Sequence, residues 1–233
     1  MKNIFVPTRD GSDWQRLLAK PKLHWKKGAS AMTAAAAWES ANPSLPVEIQ
    51  SLLTGTEQTA LSDLSLLAAI PEWEVKLPGG ETTSNTDILA LCRNETGLCV
   101  LAVEAKVLED FGPLVGEKRH QASDRQRERL DFLHRLLRVD HFDDRIRYQL
   151  LHRTASALLT ATNFHAATSV MLIHAFSTPV ERQHDFTAFC EAMRSEQVAD
   201  RVYVVRGFDR PTLYLAWCEG NPKFREVQLP SIV

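Results

Sequence analysis

The 233-residue chain is 44% hydrophobic and 24% charged, which excludes a disordered polymer and allows a substantial core in one domain. No apolar run reaches the roughly 18–20 residues that span a bilayer, and the opening MKNIFVPTRDGSDW lacks the apolar stretch of a secretory signal. A net charge of −2 argues against coating nucleic acid by bulk charge, but leaves room for one basic face that meets phosphate.

Residues 1–28 are polar and punctuated by Pro, Lys and Gly, and read as an arm leading into a single domain over 29–233. Ser30–Ala41 is alanine-rich and predicts a helix closed by Pro43 and Pro46. Val47–Leu53 and Thr59–Ala69 read as two short helices, the second from Leu61, Leu64, Leu67 and Ala68 at helical spacing. From Pro71 the character changes. Residues 73–77 (WEVKL) alternate like a strand, and 78–80 (PGG) supply a turn. Two apolar runs follow, 86–92 and 98–107, separated by the turn-forming RNETG, so a three-strand meander is expected.

Helices then return. Ser123 and Gln126 have capping-box spacing, ahead of Leu130, Leu133, Leu136 and Leu137. Arg147–Thr162 predicts a second helix, 169–176 a central strand, Phe186–Arg194 a helix, and 202–208 with 213–219 a closing strand pair. The order α-βββ-α-α-β-α-ββ implies an α/β fold, a mixed sheet flanked by helices. Cys92, Cys99, Cys190 and Cys218 show no metal-binding spacing, which points away from structural zinc and towards a reduced, cytoplasmic setting.

The chemistry concentrates on the second and third expected strands. Side chains alternate along a strand, so Glu104 and Lys106 share a face that otherwise holds Leu98, Val100 and Ala102. Burying unpaired charge is expensive, so an acid and an amine ending an apolar strand need a reason. If the hairpin closes midway between Glu95 and Thr96, opposed residues have numbers summing to 191, and Asp87 faces Glu104. Directly opposed residues stand about 4.5–5.5 Å apart at Cβ. Two facing carboxylates suit a hard cation such as Mg²⁺, with Lys106 positioned to offset charge on a reacting phosphate.

These residues resemble the signature of the PD-(D/E)XK nuclease superfamily, an Asp on one strand and Glu-X-Lys on the next. Here it reads Thr86-Asp87, then Glu104-Ala105-Lys106, with Thr86 where the name-giving Pro would stand. The resemblance covers roughly residues 29–176 and implies a restriction-endonuclease-like core. It also implies metal ligation by Asp87, Glu104 and the carbonyl of Ala105, with Mg²⁺ or Mn²⁺ as cofactor. Lys106 would assist catalysis, and Glu39 matches the further acid that many members carry on the first helix. The implied substrate is DNA, with RNA not excluded, in restriction, phage defence or repair. A homodimer or larger complex is compatible, and so is an inactive scaffold that binds nucleic acid or a partner protein.

Glu72 and Glu74 share a strand face, from which either could reach a metal or simply meet solvent. Val115–Arg153 holds ten Lys/Arg against seven Asp/Glu, which suits either a phosphate-binding face or a solvated one. Arg125, Gln126, Arg127 and Arg129 are its candidate nucleic-acid contacts. No G-x-S-x-G, HExxH, P-loop or GxGxxG is present.

Overall fold

The computed structural model describes Ile4 and residues 10–232. A seven-stranded mixed sheet runs through its centre, with helices on both faces. The chain enters through a 3₁₀ segment, Gly11–Leu17, and a single-turn helix α1, Pro21–His24. Helices α2 (Ser30–Ala41) and α3 (Val47–Thr54) follow. Strands β1 (Ser65–Val75), β2 (Ser84–Asn94) and β3 (Gly97–Lys106) form the meander. A crossover of α4 (Val115–Arg119), α5 (Asp124–Leu137) and α6 (Tyr148–Asn163) leads to β4 (Thr168–Ala175). Helix α7 (Val180–Ala192) precedes β5 (Ser195–Ala199), β6 (Val202–Asp209) and β7 (Thr212–Glu219).

The sheet order is β1-β2-β3-β4-β7-β6-β5. Strand β3 pairs antiparallel with β2 and parallel with β4, so it joins the two halves of the sheet. Strands β3 and β4 are buried almost throughout, as expected where helices cover both faces. On one face Met32, Ala34, Ala35, Ala37 and Trp38 of α2 pack against Ala90, Leu101, Val103 and Ala105. The run of alanines permits this close approach, since each contributes only a methyl group. On the other face α5, α6 and α7 supply Leu130, Leu133, Leu150, Leu151, Phe186 and Phe189. The capping box at Ser123 and Gln126 is formed as expected.

Three expectations are corrected. Thr59–Ala69 is not a helix, because β1 begins at Ser65. A β-bulge between Leu66 and Ala68 breaks the period of two, and the leucines fall at helical spacing without a helix. Pro71 lies inside β1 and is tolerated because β1 is an edge strand, where a missing N–H need not interrupt the sheet. Strand β5 was not expected; its SEQVA sequence is short, polar and at the opposite edge. The segment read as an arm is folded where it is described, from Asp10 onward. Trp14 and Trp25 are both buried, and their indole N–H groups donate to Glu39 Oε1 (2.9 Å) and the Pro230 carbonyl (3.1 Å).

The turn at residues 78–80 packs on α5. Gly79 has φ +77°, and a Cβ there would stand 2.3 Å from the Arg125 carbonyl oxygen and 2.5 Å from the Arg129 nitrogen. Gly79→Ala is therefore expected to cost on the order of 2–3 kcal/mol, from left-handed strain plus overpacking. The urea midpoint is the measurement, with no change expected in the slope.

Candidate active site

The hairpin register follows the sum of 191 in seven consecutive pairs, from Asn94↔Gly97 to Ile88↔Val103. The paired register ends there; continued one step, it would bring Asp87 opposite Glu104. The β1–β2 register carries the sum of 159 on both sides of Glu72, at Pro71↔Ile88 and Trp73↔Thr86. Glu72, Asp87 and Glu104 thus fall at corresponding positions on three adjacent strands, and all three line one cleft. Glu72 adopts φ +51°, an uncommon conformation for a residue with a side chain. Asp87 Oδ2 accepts from the Ala105 N–H at 2.8 Å, where a carbonyl of β2 would otherwise bond. The Lys106 carbonyl points the other way, accepting from Phe176 N–H and Thr178 Oγ1. Backbone alternation then directs the Ala105 carbonyl to the side of Asp87.

Helix α6 crosses this face and completes the cluster. Lys106 Nζ donates to Glu104 Oε1 at 2.9 Å and to Gln149 Oε1 at 3.0 Å, and Gln149 Nε2 donates to Glu104 Oε1 at 2.7 Å. Arg153 Nε donates to Glu104 Oε2, and its Nη1 donates to Ser84 Oγ at 3.1 Å. Ser84 Oγ also meets His152 Nδ1 at 2.8 Å. Lys106 lies 5.1 Å from the centre of the Phe111 ring. Glu104, Lys106 and Arg153 are 4%, 5% and 9% exposed, so these charges act on one another with little solvent between them.

Electrostatics divides the acids. Burial alone would raise Glu104, but Arg153 and Lys106 outweigh it and hold the carboxyl down at about 2. Burial raises Asp87 to about 7, with the Glu104 charge adding to the effect and Arg153 and Lys106 opposing it. Glu72 is pushed up to about 8, by burial first and then by Asp87 and Glu104. Burial, followed by the Arg153 charge, lowers His152 to about 3. The three acids outnumber the two cations, so Glu72 and Asp87 hold their protons up to about neutral pH. Raised acids favour the folded state when protonated. That contribution is full below the ordinary carboxylate range and is lost as pH rises through about 7. Asp87→Asn is accordingly expected to stabilise the metal-free protein at pH 8 by at least ~1 kcal/mol and to flatten its stability between pH 4 and 7. Thermal melts across that range, in EDTA, measure both effects.

The cluster opens into a cleft of about 440 Å³ lined by Glu72, Asp87, Glu104, Glu109, Gln149 and Arg153. Its opposite wall comes from Leu18, Ala19, Leu23 and His24, and from Ala29–Ala31 at the start of α2. Glu109 ties the two sides together, accepting from Ser30 N–H at 3.1 Å and Val107 N–H at 3.0 Å.

Asp87, Glu104 and Lys106 are thus brought together, while Glu39 does not line the cleft and instead accepts from Trp14. Glu72 lines the cleft beside Asp87 and Glu104. The α5 residues also lie off the cleft lining. Gln126 caps its own helix, and Arg127 bonds the Ala122 carbonyl and Asp124. Arg129 donates to the Leu77, Pro78 and Thr82 carbonyls, and Arg125 lies 4.0 Å from Glu81. Arg153 belongs to the basic stretch expected to offer a phosphate-binding face and does line the cleft, while Gln149 was not foreseen. The signal available was a polar stripe at helical spacing through Gln149, Arg153, Ser156 and Thr160, on a helix whose other inward positions are apolar.

Among the described residues no group of three or more His, Cys, Asp or Glu side chains is arranged to hold a metal ion. The physical reason is that both Glu104 oxygens are turned to Arg153, Lys106 and Gln149. The donor chemistry nevertheless fits a hard divalent cation, because carboxylates and a backbone carbonyl converge in a row whose acids outnumber its cations.

Fold and site define a mixed α/β protein with a buried acid–base cluster at the end of its central strands, and no helix among the described residues is long and apolar enough to cross a membrane. The chain belongs to the DUF6946 family, a domain of unknown function, matched over residues 7–222. No curated protein and no solved structure matches it significantly.

Proposed function

We propose that this chain is a metal-dependent nuclease of the PD-(D/E)XK type, with DNA as substrate and Mg²⁺ or Mn²⁺ as cofactor. The observation that carries the reading is the convergence of Asp87 and Glu104 on one cleft from adjacent strands, with Lys106 bonded to Glu104 behind its lining. The meander β1–β2–β3 and the helical crossover to a parallel β4 support a restriction-endonuclease-like core over this part of the chain.

Asp87, Glu104 and the Ala105 carbonyl would hold the ion, with Glu72 beside them. Bound there, it supplies Lewis-acid polarisation of a phosphate oxygen and a water of lowered pKa. Lys106 offers a compact positive charge to the entering phosphate, and Gln149 fixes the direction of its ammonium. Asp87 orients the end of β3 through the Ala105 N–H. Phe111 and α6 keep bulk water from the Lys106–Glu104 pair, where the lowered dielectric strengthens their action on a phosphate.

A second reading has its own observation. Arg153 occupies the Glu104 oxygen that a metal would use, which suits a noncatalytic scaffold stabilised by an internal ion pair. Incubation with plasmid and linear DNA in Mg²⁺, Mn²⁺ or EDTA separates the two, beside a Glu104→Ala control. Metal-dependent cleavage lost in the variant supports the nuclease. Cleavage at the parental rate in Glu104→Ala, or none in any metal, leaves the scaffold.

A further inference from the structure

From Trp14 to Trp38 the chain contains no acidic residue, but it contains Arg16, Lys20, Lys22, Lys26 and Lys27. This stretch carries +5 in a chain of net −2, so the remainder stands at −7. All five cations are exposed. Among the described residues, only Lys27 of the five is drawn to an acid, Glu226, at 2.9 Å on the surface. Lys20 and Lys22 alternate with Ala19, Leu23 and His24, which form the cleft wall opposite the carboxylate row. The cleft is therefore bipolar, with acids on its floor and cations along its rim.

The rim is also fixed in place. Buried Trp14 and Trp25 pin it, the first to Glu39 on α2 and the second to the Pro230 carbonyl. Gln15 adds a bond to Ser231 at 3.1 Å, and Asp10 caps the first turn through Ser12 N–H. Anchored cations lose less freedom on meeting an anion than cations on a loose tail. Leu23, 55% exposed, and the exposed His24 ring stand beside them as surfaces on which a nucleobase can lie.

We propose that the Arg16–Lys26 rim binds the backbone of an unpaired nucleic-acid strand and directs one phosphate at a time to the carboxylate row. The rim meets the polyanion, in place of the α5 arginines, which are spent on their own helix and the 77–82 loop. The unpaired state follows from size. Glu104 lies almost fully buried in the lining of a cleft of about 440 Å³, the volume class of small-molecule pockets, which takes a nucleotide and not a duplex.

The identity of the polyanion rests on the nuclease reading, but binding can be measured apart from cleavage. Fluorescence anisotropy in EDTA, over a salt series, compares a labelled single strand with a blunt duplex of the same sequence. The expected result is binding of the single strand about tenfold tighter than the duplex. The triple variant Lys20→Gln, Lys22→Gln, Lys26→Gln is expected to bind about tenfold more weakly, with its salt slope reduced by about 2, near 0.7 for each lost phosphate contact. Neutralising Arg125 and Arg127 should change neither quantity. If the triple variant melts early, the single variants at Lys20 and Lys22 carry the test, each with a salt slope lower by about 0.7. The assignment is overturned if the lysine variants keep parental affinity and slope, if the duplex binds as well as the single strand, or if the parental protein binds neither. Lysine-dependent binding without cleavage in Mg²⁺ or Mn²⁺ would sink the nuclease reading and leave the rim standing.

Discussion

Glu104→Ala is expected to cost the folded state about 3–5 kcal/mol, because it leaves buried cations without their counter-charge. Lys106 and Arg153 both point at this carboxylate and are nearly inaccessible to water, so solvent cannot replace it. Adding Arg153→Met to Glu104→Ala should recover ~1–2 kcal/mol, since the stranded guanidinium is then gone. Urea denaturation of the two single variants and the double variant forms a cycle whose coupling term is the readout. Additive losses would mean that the Arg153–Glu104 pair contributes little. In the same variants divalent-ion binding, followed by calorimetry, should disappear with Glu104→Ala. It should strengthen with Arg153→Met, where one Glu104 oxygen is released.

Lys106→Ala is expected to reduce cleavage by about 10²–10³-fold, the usual cost of removing a charged donor from a developing oxyanion. Divalent-ion binding should remain within a few-fold of the parent, because an ammonium is no metal ligand and Arg153 still keeps Glu104 ionised. Stability should fall much less than in Glu104→Ala, since Arg153 still neutralises the acid. Lys106→Arg should not restore turnover. Lys106 is held between Gln149, Glu104 and the Phe111 ring, a space shaped for a compact ammonium and not a planar fork. Equal loss of metal binding and turnover in Lys106→Ala would show that the lysine holds the metal site together and does not act on the substrate.

The part of the site that could be read in the sequence was its strand register. Asp87 and Glu104 lie on uninterrupted apolar runs joined by one tight turn, and a period of two leaves a single arrangement that buries both runs. Glu72 was visible as one of two alternating acids, but its place in the row depends on the β1 register, which the bulge at Leu66–Ala68 shifts. Gln149 and Arg153 lie on a helix whose presence was plain from Leu150, Leu151, Leu158 and Leu159. What periodicity does not give is the strand face on which that helix docks, and so which charges meet. The α5 arginines show the limit of a charge count. Their local charge excess was real, but capping, loop carbonyls and neighbouring acids account for their contacts. The rim over residues 16–27 was missed because no periodicity marks it, and only its place beside the cleft gives its cations meaning.

The charge cluster is assembled from three separated stretches of chain, around Glu72–Asp87, Glu104–Lys106 and Gln149–Arg153. During synthesis the first two leave the ribosome well before the third. A nascent chain that stops short of α6 can pair its meander, but its central acid still lacks the guanidinium and amide that later hold it. Such a fragment keeps Glu104 hydrated and has no closed face over Lys106. The cluster therefore reports on completeness: it takes its low-dielectric form only once the crossover helix has docked, so the cleft acquires its electrostatic character with the finished fold.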